Sequence, residues 1–211
     1  MILRWFLALV LAMAAGIGVL WFLTDGFSAL TAETARRQSV AQQPRPIPDA
    51  QVLDDTGHLQ SLDADLREDG RVAIVNFFYT RCVALCLAQG SLTEQLQQVI
   101  EGEGLQDRIR LISISFDPRD KADDLARYAR RMHARDDVWR FMAFEDPQQM
   151  HEALDLFGIT VIPAPLGEFE HNAAFHVVTP DARLSRILDL DTPGLALQAA
   201  RELAGAAGVQ P

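Results

Sequence analysis

Cysteine is scarce in this chain: 211 residues hold two, Cys82 and Cys86, four positions apart. They do not form C-x-x-C, so the ordinary thioredoxin signature is absent, and no C-x-x-C-H is present to attach haem. Positive charge is also in deficit. The formal net charge is −10, and no run of Lys and Arg forms a stripe. That excludes nucleic-acid binding, which depends on neutralising phosphates. An acidic chain of this kind suits cations, or partners with basic patches. Internal repeats and dominant low-complexity tracts are missing too. The composition, 49% hydrophobic and 23% charged, is globular, and the length allows one full domain plus extras.

Charge is missing again from "MILRWFLALVLAMAAGIGVLWFLTDG", where 20 residues separate Arg4 from Asp25. A helix of that length suits a bilayer core of roughly 30 Å. The run exceeds the apolar region of roughly 7–15 residues expected of a cleaved signal, and no convincing A-x-A site follows it. Residues 1–25 therefore read as an uncleaved anchor, ahead of a cleaved signal or a core helix. Arg4 and the amino terminus favour a cytoplasmic start, whereas Arg36 and Arg37 weigh against it. The polar, finally proline-rich residues 26–48 read as a flexible stalk, and 49–211 as the folded domain. The expected location is a bacterial-type inner membrane, single-pass, with the domain in the periplasm. There two cysteines meet an oxidising compartment.

Within the domain, "QVLDDTGHLQSL" predicts two short strands around a turn at Asp55-Thr56-Gly57. "RVAIVNFFY" (71–79) is continuously apolar, as a strand buried on both faces requires. Leu92, Leu96 and Val99 recur at helical spacing, and "RIRLISISF" (108–116) is the next strand. Asp120 is placed to cap a helix whose inner face is Leu125, Tyr128 and Met132. After "WRFMAF", Asp146, Pro147 and Gly158 mark a helix start and stop. "AFHVVT" and "RLSRILDL" form a hairpin around Pro180-Asp181-Ala182, and "TPGLALQAARELAG" closes as a helix. This alternation predicts an α/β, thioredoxin-like fold: a mostly parallel central sheet, a terminal antiparallel hairpin and flanking helices.

Both cysteines then fall at the turn from the first core strand into its helix. A helix N-terminus favours thiolate over thiol, and Arg81 adds a cation beside Cys82. Residues four apart are neighbours on a helix turn, so the pair can close a disulfide or share a metal. Two thiolates undersatisfy most metal sites. His171, in "GEFEHNAAFHVV", is the best third ligand, because it precedes a core strand at the sheet edge facing the cysteine turn. His58 sits in the early hairpin, His133 and His151 on amphipathic helices, and His176 inside a strand, where a satisfied core histidine is the ordinary reading.

These residues carry a resemblance. From about residue 50 to about 190 the chain resembles the Sco/SenC family of membrane-anchored copper chaperones that assist cytochrome oxidase assembly. "FFYTRCVALC" stands where that family has a strand, a Thr and C-P-x-x-C-P. "LISISFDP" follows, and "EHNAAFHVVTPDARL" stands where the family has D-H-S, a strand and D-P-x-G. The resemblance implies that Cys82, Cys86 and His171 bind copper. Two soft thiolates and an imidazole suit Cu(I), and with a further weak ligand they can hold Cu(II). It also implies that Glu170 orients the imidazole, and Asp117 matches the family's D-P pair. The departures are Val83 and Leu87 in place of two prolines, Glu-His-Asn in place of Asp-His-Ser, and a shorter acidic segment after Pro118. They leave the ligands intact and bear on partner choice, affinity and redox potential.

Two functions follow as expectations. One is an assembly factor, not an enzyme in the turnover sense, that receives copper from another carrier and delivers it to a subunit of a membrane oxidase. The other is a membrane-tethered thiol–disulfide oxidoreductase keeping a partner's copper-ligand cysteines reduced; it needs only Cys82 and Cys86. A structural disulfide ranks last, because a four-residue bridge closes too small a loop to stabilise much. Zinc would want a fourth ligand, and no threonine-and-arginine pocket marks a peroxidatic cysteine.

Overall fold

The computed structural model describes residues 2–23, 32–82 and 85–207, and the chain divides into two units, 1–43 and 44–211. In the first unit, helix α1 spans Ile2–Leu23. Its stretch Arg4–Phe22 is long and apolar enough to cross a membrane, and none of it is buried. Trp5, Phe6, Leu9 and Trp21 all stand exposed. A helix apolar all round and unburied over this stretch is suited to lipid. Part of the expected flexible stalk is ordered: Ala32–Gln42 form helix α2. Glu33, in its first turn, binds Arg36 at 2.9 Å and Arg37 at 2.7 Å. Such i,i+3 and i,i+4 pairs, with an acid at the helix start, were the overlooked signal.

The second unit starts before the expected residue 49. Strand β1, Arg45–Pro46, pairs with Leu184 and Arg183, and the Ile47 amide donates to the Ala182 carbonyl at 3.0 Å. Strands β2 (Gln51–Asp54) and β3 (Leu59–Ser61) form the predicted hairpin. The Asp54 carboxylate closes its turn, accepting from the Thr56 hydroxyl at 2.6 Å and the His58 amide at 2.8 Å. Helix α3, Leu62–Asp69, was not anticipated. Its signals are Ser61, which accepts from the Ala64 amide, and the left-handed Gly70.

Strand β4 (Val72–Phe78) is buried throughout, as its apolar run predicts. Helix α4 (Leu85–Gly102), β5 (Ile109–Ser115), α5 (Ala122–Arg131), β6 (Trp139–Phe144) and α6 (Pro147–Phe157) follow. Short strands β7 (Val161–Pro163) and β8 (Phe169–His171) come next, then β9 (Ala174–Val178), β10 (Arg183–Asp189) and α7 (Pro193–Ala207). The main sheet runs β1-β10-β9-β4-β5-β6-β2-β3. Its centre, β4-β5-β6, is parallel; β9 and β10 lie antiparallel on one flank, β2 and β3 on the other. Strands β7 and β8 form a separate two-stranded ribbon that pairs Val161 with His171.

Strand alternation distributes the layers. Phe77 meets Phe157 of α6 with ring centroids 4.8 Å apart, while Phe78 meets Tyr128 of α5 at 4.7 Å. Thus α6 covers one face and α5 the other. Helix α4 shares the α5 face, where Asn76 donates to the Thr93 hydroxyl at 3.0 Å. Its inner face differs from the expected Leu92–Leu96–Val99 stripe: Gln89, Thr93, Leu96, Gln97 and Ile100 are buried and Val99 is exposed. Each of these buried polar side chains donates a hydrogen bond, Gln89 to the Phe77 carbonyl, Thr93 to the Gln89 carbonyl and Gln97 to the His133 carbonyl, which is why apolar periodicity alone misreads the helix. Asp146 caps α6 and Gly158 ends it, as predicted. On α5 the cap position is Lys121, whose amide donates to Asp124 at 3.0 Å. The expected cap, Asp120, is engaged elsewhere.

Candidate metal centre

Strand β4 ends at the cysteine turn, and the structure packs that turn on buried carboxylates. Asp120 accepts from the Thr80 amide at 2.8 Å, the Thr80 hydroxyl at 2.6 Å and the Ser115 hydroxyl at 2.6 Å. Three donors explain why Asp120 leaves the helix cap. Asp117, 1% exposed, accepts from Arg81 at 2.5 Å and from Arg119 Nε at 2.8 Å. Burial works against its ionisation, yet the bonds from Arg119 and Arg81 hold its carboxyl below the usual value. Cys82 follows, buried, with its amide donating to the Tyr79 carbonyl at 3.3 Å. Cys86 lies in the first turn of α4, as expected; its side chain, and Val83, lie outside the described residues.

His171 reaches this region on the β7–β8 ribbon. The half-buried imidazole packs edge-on against Phe116, centroid to centroid 4.9 Å, and against Tyr79 at 6.1 Å. Its Nδ1 lies 2.9 Å from the Asn172 carbonyl oxygen. A carbonyl only accepts, so Nδ1 carries the proton and the lone pair belongs to Nε2, the atom suited to a metal. Burial lowers the imidazole pKa, with the Asn172 carbonyl opposing. A neutral ring is the ligand form.

Tyr79 joins the two halves. Its phenol donates to Glu168 at 2.6 Å and accepts from the Phe169 amide at 3.4 Å. Burial first, then the Glu168 carboxylate, pushes the phenol pKa well above its ordinary value. A second tie runs parallel: Arg119, held by Asp117, donates to the Gly167 carbonyl at 2.5 Å and lies over the Phe169 ring. Gly167 has φ +77°, and an added Cβ would stand 2.6 Å from Arg119 Nη1. Only glycine suits both demands.

Glu170 is exposed on the opposite face of β8 from His171, since neighbouring strand residues point apart. The hydrogen bond at Nδ1 is made by the Asn172 carbonyl. The Asn172 side chain fastens the ribbon, donating to the Gly158 carbonyl at 2.8 Å and accepting from the Thr160 amide at 2.7 Å. That gives the third residue of the Glu-His-Asn motif a structural task. Among the other histidines, His176 is fully buried, with ring nitrogens 3.0 Å from the Phe157 oxygen and 3.3 Å from the Val75 oxygen. It is the core histidine its strand predicts. His151 lies exposed on α6; His133 lies exposed just past the end of α5, at φ +53°. Sequence reasoning missed Tyr79, Thr80, Arg119, Asp120, Glu168 and Asn172. Apart from Asp120, set aside as a cap, each lies in or beside a motif that had been recognised.

A family model described as SCO1/SenC matches residues 51–205. The chain belongs to that family. The SCO1 protein homolog of Bacillus subtilis (strain 168) is 29% identical over 119 residues, covering 54% of this chain and 60% of that protein. The chain thus spans about three-fifths of that curated relative's length. The structure called BsSco is described as a member of the Sco family of cytochrome c oxidase assembly proteins with a disulfide switch. It superposes with a TM-score of 0.65 at 22% identity, covering 80% of this chain and 96% of that one. Arabidopsis thaliana ScoI, solved with copper bound, superposes with a TM-score of 0.60 at 16% identity, covering 74% and 98%. At these identities the superpositions show a shared fold, the thioredoxin-like fold of Sco proteins. The SCO1/SenC match extends past the resemblance read from the motifs, to residue 205, and so takes in α7.

Proposed function

We propose that this chain is a membrane-anchored copper-binding assembly factor that holds Cu(I) on Cys82, Cys86 and His171 and passes it to a respiratory oxidase. The single observation that carries this reading is Tyr79, whose carbonyl accepts from the Cys82 amide at 3.3 Å and whose ring packs against the His171 ring. One residue thus ties the turn of a soft thiol ligand and an Nε2-directed imidazole into one neighbourhood. That donor set suits copper, which the Arabidopsis relative carries. Copper is cargo here: it arrives from another carrier and leaves by ligand exchange. Apolar α1 would be the anchor, with the domain in the periplasm, where copper-ligand cysteines need protection from oxidation.

A second reading rests on a specific placement. Cys82 is buried three residues before Leu85, where α4 starts, and Cys86 lies in the first turn of that helix, so both cysteines belong to one strand-to-helix turn. The same pair could then reduce a partner's disulfide, with copper binding and disulfide formation competing for the same sulfurs. The test is an anaerobic Cu(I) titration of the reduced full-length protein against a competing chelator, alongside His171→Ala and Cys86→Ser. One tight copper, weakened by both substitutions, supports the three-ligand site. Binding indifferent to His171 sinks it and leaves the reductase.

A further inference from the structure

Next to the cysteine turn, on the α5 face of the sheet, lies a pocket of about 400 Å³ lined by Thr80, Arg81, Asp124, Arg127, Tyr128 and Arg131. Three arginines and one aspartate make it locally basic in a chain whose net charge is −10. Each guanidinium is steadied on one side. Arg81 binds Asp117, Arg127 binds Asp124, and Arg131 lies 4.8 Å over the Tyr128 ring. A cation at the last turn of α5 suits the helix dipole, but that would be served equally by a side chain extended into water. Arg131 folds back over the pocket floor instead. Arginine presents five N–H donors in a planar fork, and one carboxylate bond uses a minority of them. The geometry offers converging forks to carboxylates, the ligand such forks fit best.

We propose that this pocket is the docking site for an acidic peptide segment of the partner protein that meets the Cys82 turn. Thr80 and Arg81 line the pocket and lead directly into Cys82, so a segment held there brings the rest of its chain to the thiol. Charge complementarity selects the occupant. The net charge of −10 repels acidic partners in general, so attraction confined to one arginine pocket would orient them as well as bind them. The inference rests on the function proposed above for what the partner does, and on the pocket alone for its chemistry.

The experiment uses the full-length protein in zwitterionic detergent with a fluorescein-labelled hexa-aspartate peptide, read by anisotropy at low and high salt. Saturable, salt-sensitive binding is expected, weakened about ten-fold or more in the double variant Arg127→Gln/Arg131→Gln. Cu(I) affinity of that variant should equal the parent's, which also reports an intact fold. No saturable binding, or binding indifferent to the two substitutions, overturns the proposal. So does a response confined to inorganic phosphate or to vesicles containing phosphatidylglycerol, which would make the pocket a phosphate or lipid-headgroup site. Peptide binding that needs both arginines in a protein that holds no copper would keep the docking site and reject the copper reading.

Discussion

The Tyr79 phenol donates to the Glu168 carboxylate at 2.6 Å, which fastens the residue three before Cys82 to the residue three before His171. Of the three proposed ligands, Cys82 follows β4 of the main sheet and His171 ends β8 of a separate ribbon, elements that share no ladder. Their mutual position is set by side chains.

Tyr79→Phe keeps the ring contacts with Phe116, Phe169 and His171 and deletes the hydrogen bonds. A bond to a charged group is worth about 1.5–3 kcal/mol, less here because Glu168 is exposed. The expected outcome is a stability loss of about 1 kcal/mol in urea unfolding and Cu(I) binding weakened about ten-fold. Unchanged copper affinity would show that Tyr79 does not position the site.

Asp117 gives the protein an acid sensitivity of known sign. Its folded-state pKa lies below the ordinary aspartate value of 3.8, so its contribution to stability is present above that pH. The contribution is lost as pH falls through the lower, folded value. Asp117→Asn should cost about 1–3 kcal/mol at neutral pH and flatten the dependence of stability on pH below about 4. Urea unfolding from neutral pH to about pH 2 checks both; parallel curves for the two proteins would refute the linkage.

Much of the fold was legible because the long strands announce themselves: Val72–Phe78 and Ile109–Ser115 are apolar runs buried on both faces. Asp146, Pro147 and Gly158 bracket α6 by chemistry that acts locally. What escaped depends on distant partners. Asp120 has the composition of a helix cap, and only the approach of Thr80 and Ser115 shows its use. The β7–β8 ribbon is too short, and too interrupted by Pro163, Pro165 and Gly167, for period-2 alternation to register. Helix α3 is short and highly charged, and it is anchored by Arg110, fully buried and paired with Asp65 at 2.9 Å. Of the candidate site, the residues proposed as ligands stand within the sequence motifs; the ties between their elements do not.

Gly167→Ala tests the second tie without touching a proposed ligand. Its left-handed backbone and the 2.6 Å approach to Arg119 both oppose a Cβ. The substitution should displace the Arg119 guanidinium, lower stability by about 1–2 kcal/mol and loosen the ribbon that carries His171. Arg119→Lys should reproduce the weaker copper binding, because a lysine cannot span Asp117 and the Gly167 carbonyl with one planar fork. Equal Cu(I) affinity in both variants would confine this tie to stability.

His176 and His171 should separate cleanly, because one is held by the fold and the other is proposed as a ligand. His176 is fully buried between β4 and α6, its ring nitrogens on the Val75 and Phe157 carbonyl oxygens. His176→Leu strands those acceptors and should cost about 2–3 kcal/mol, while copper affinity in the folded protein stays within about three-fold. His171 is half-buried on a short ribbon, and its removal opens no core. His171→Ala should leave stability within about 1 kcal/mol and reduce Cu(I) affinity by about ten-fold to a hundred-fold. Paired unfolding and chelator-competition curves on both variants check this. If His171→Ala unfolds the protein while its copper affinity holds, the histidine serves packing, and the thiol pair alone carries the chemistry.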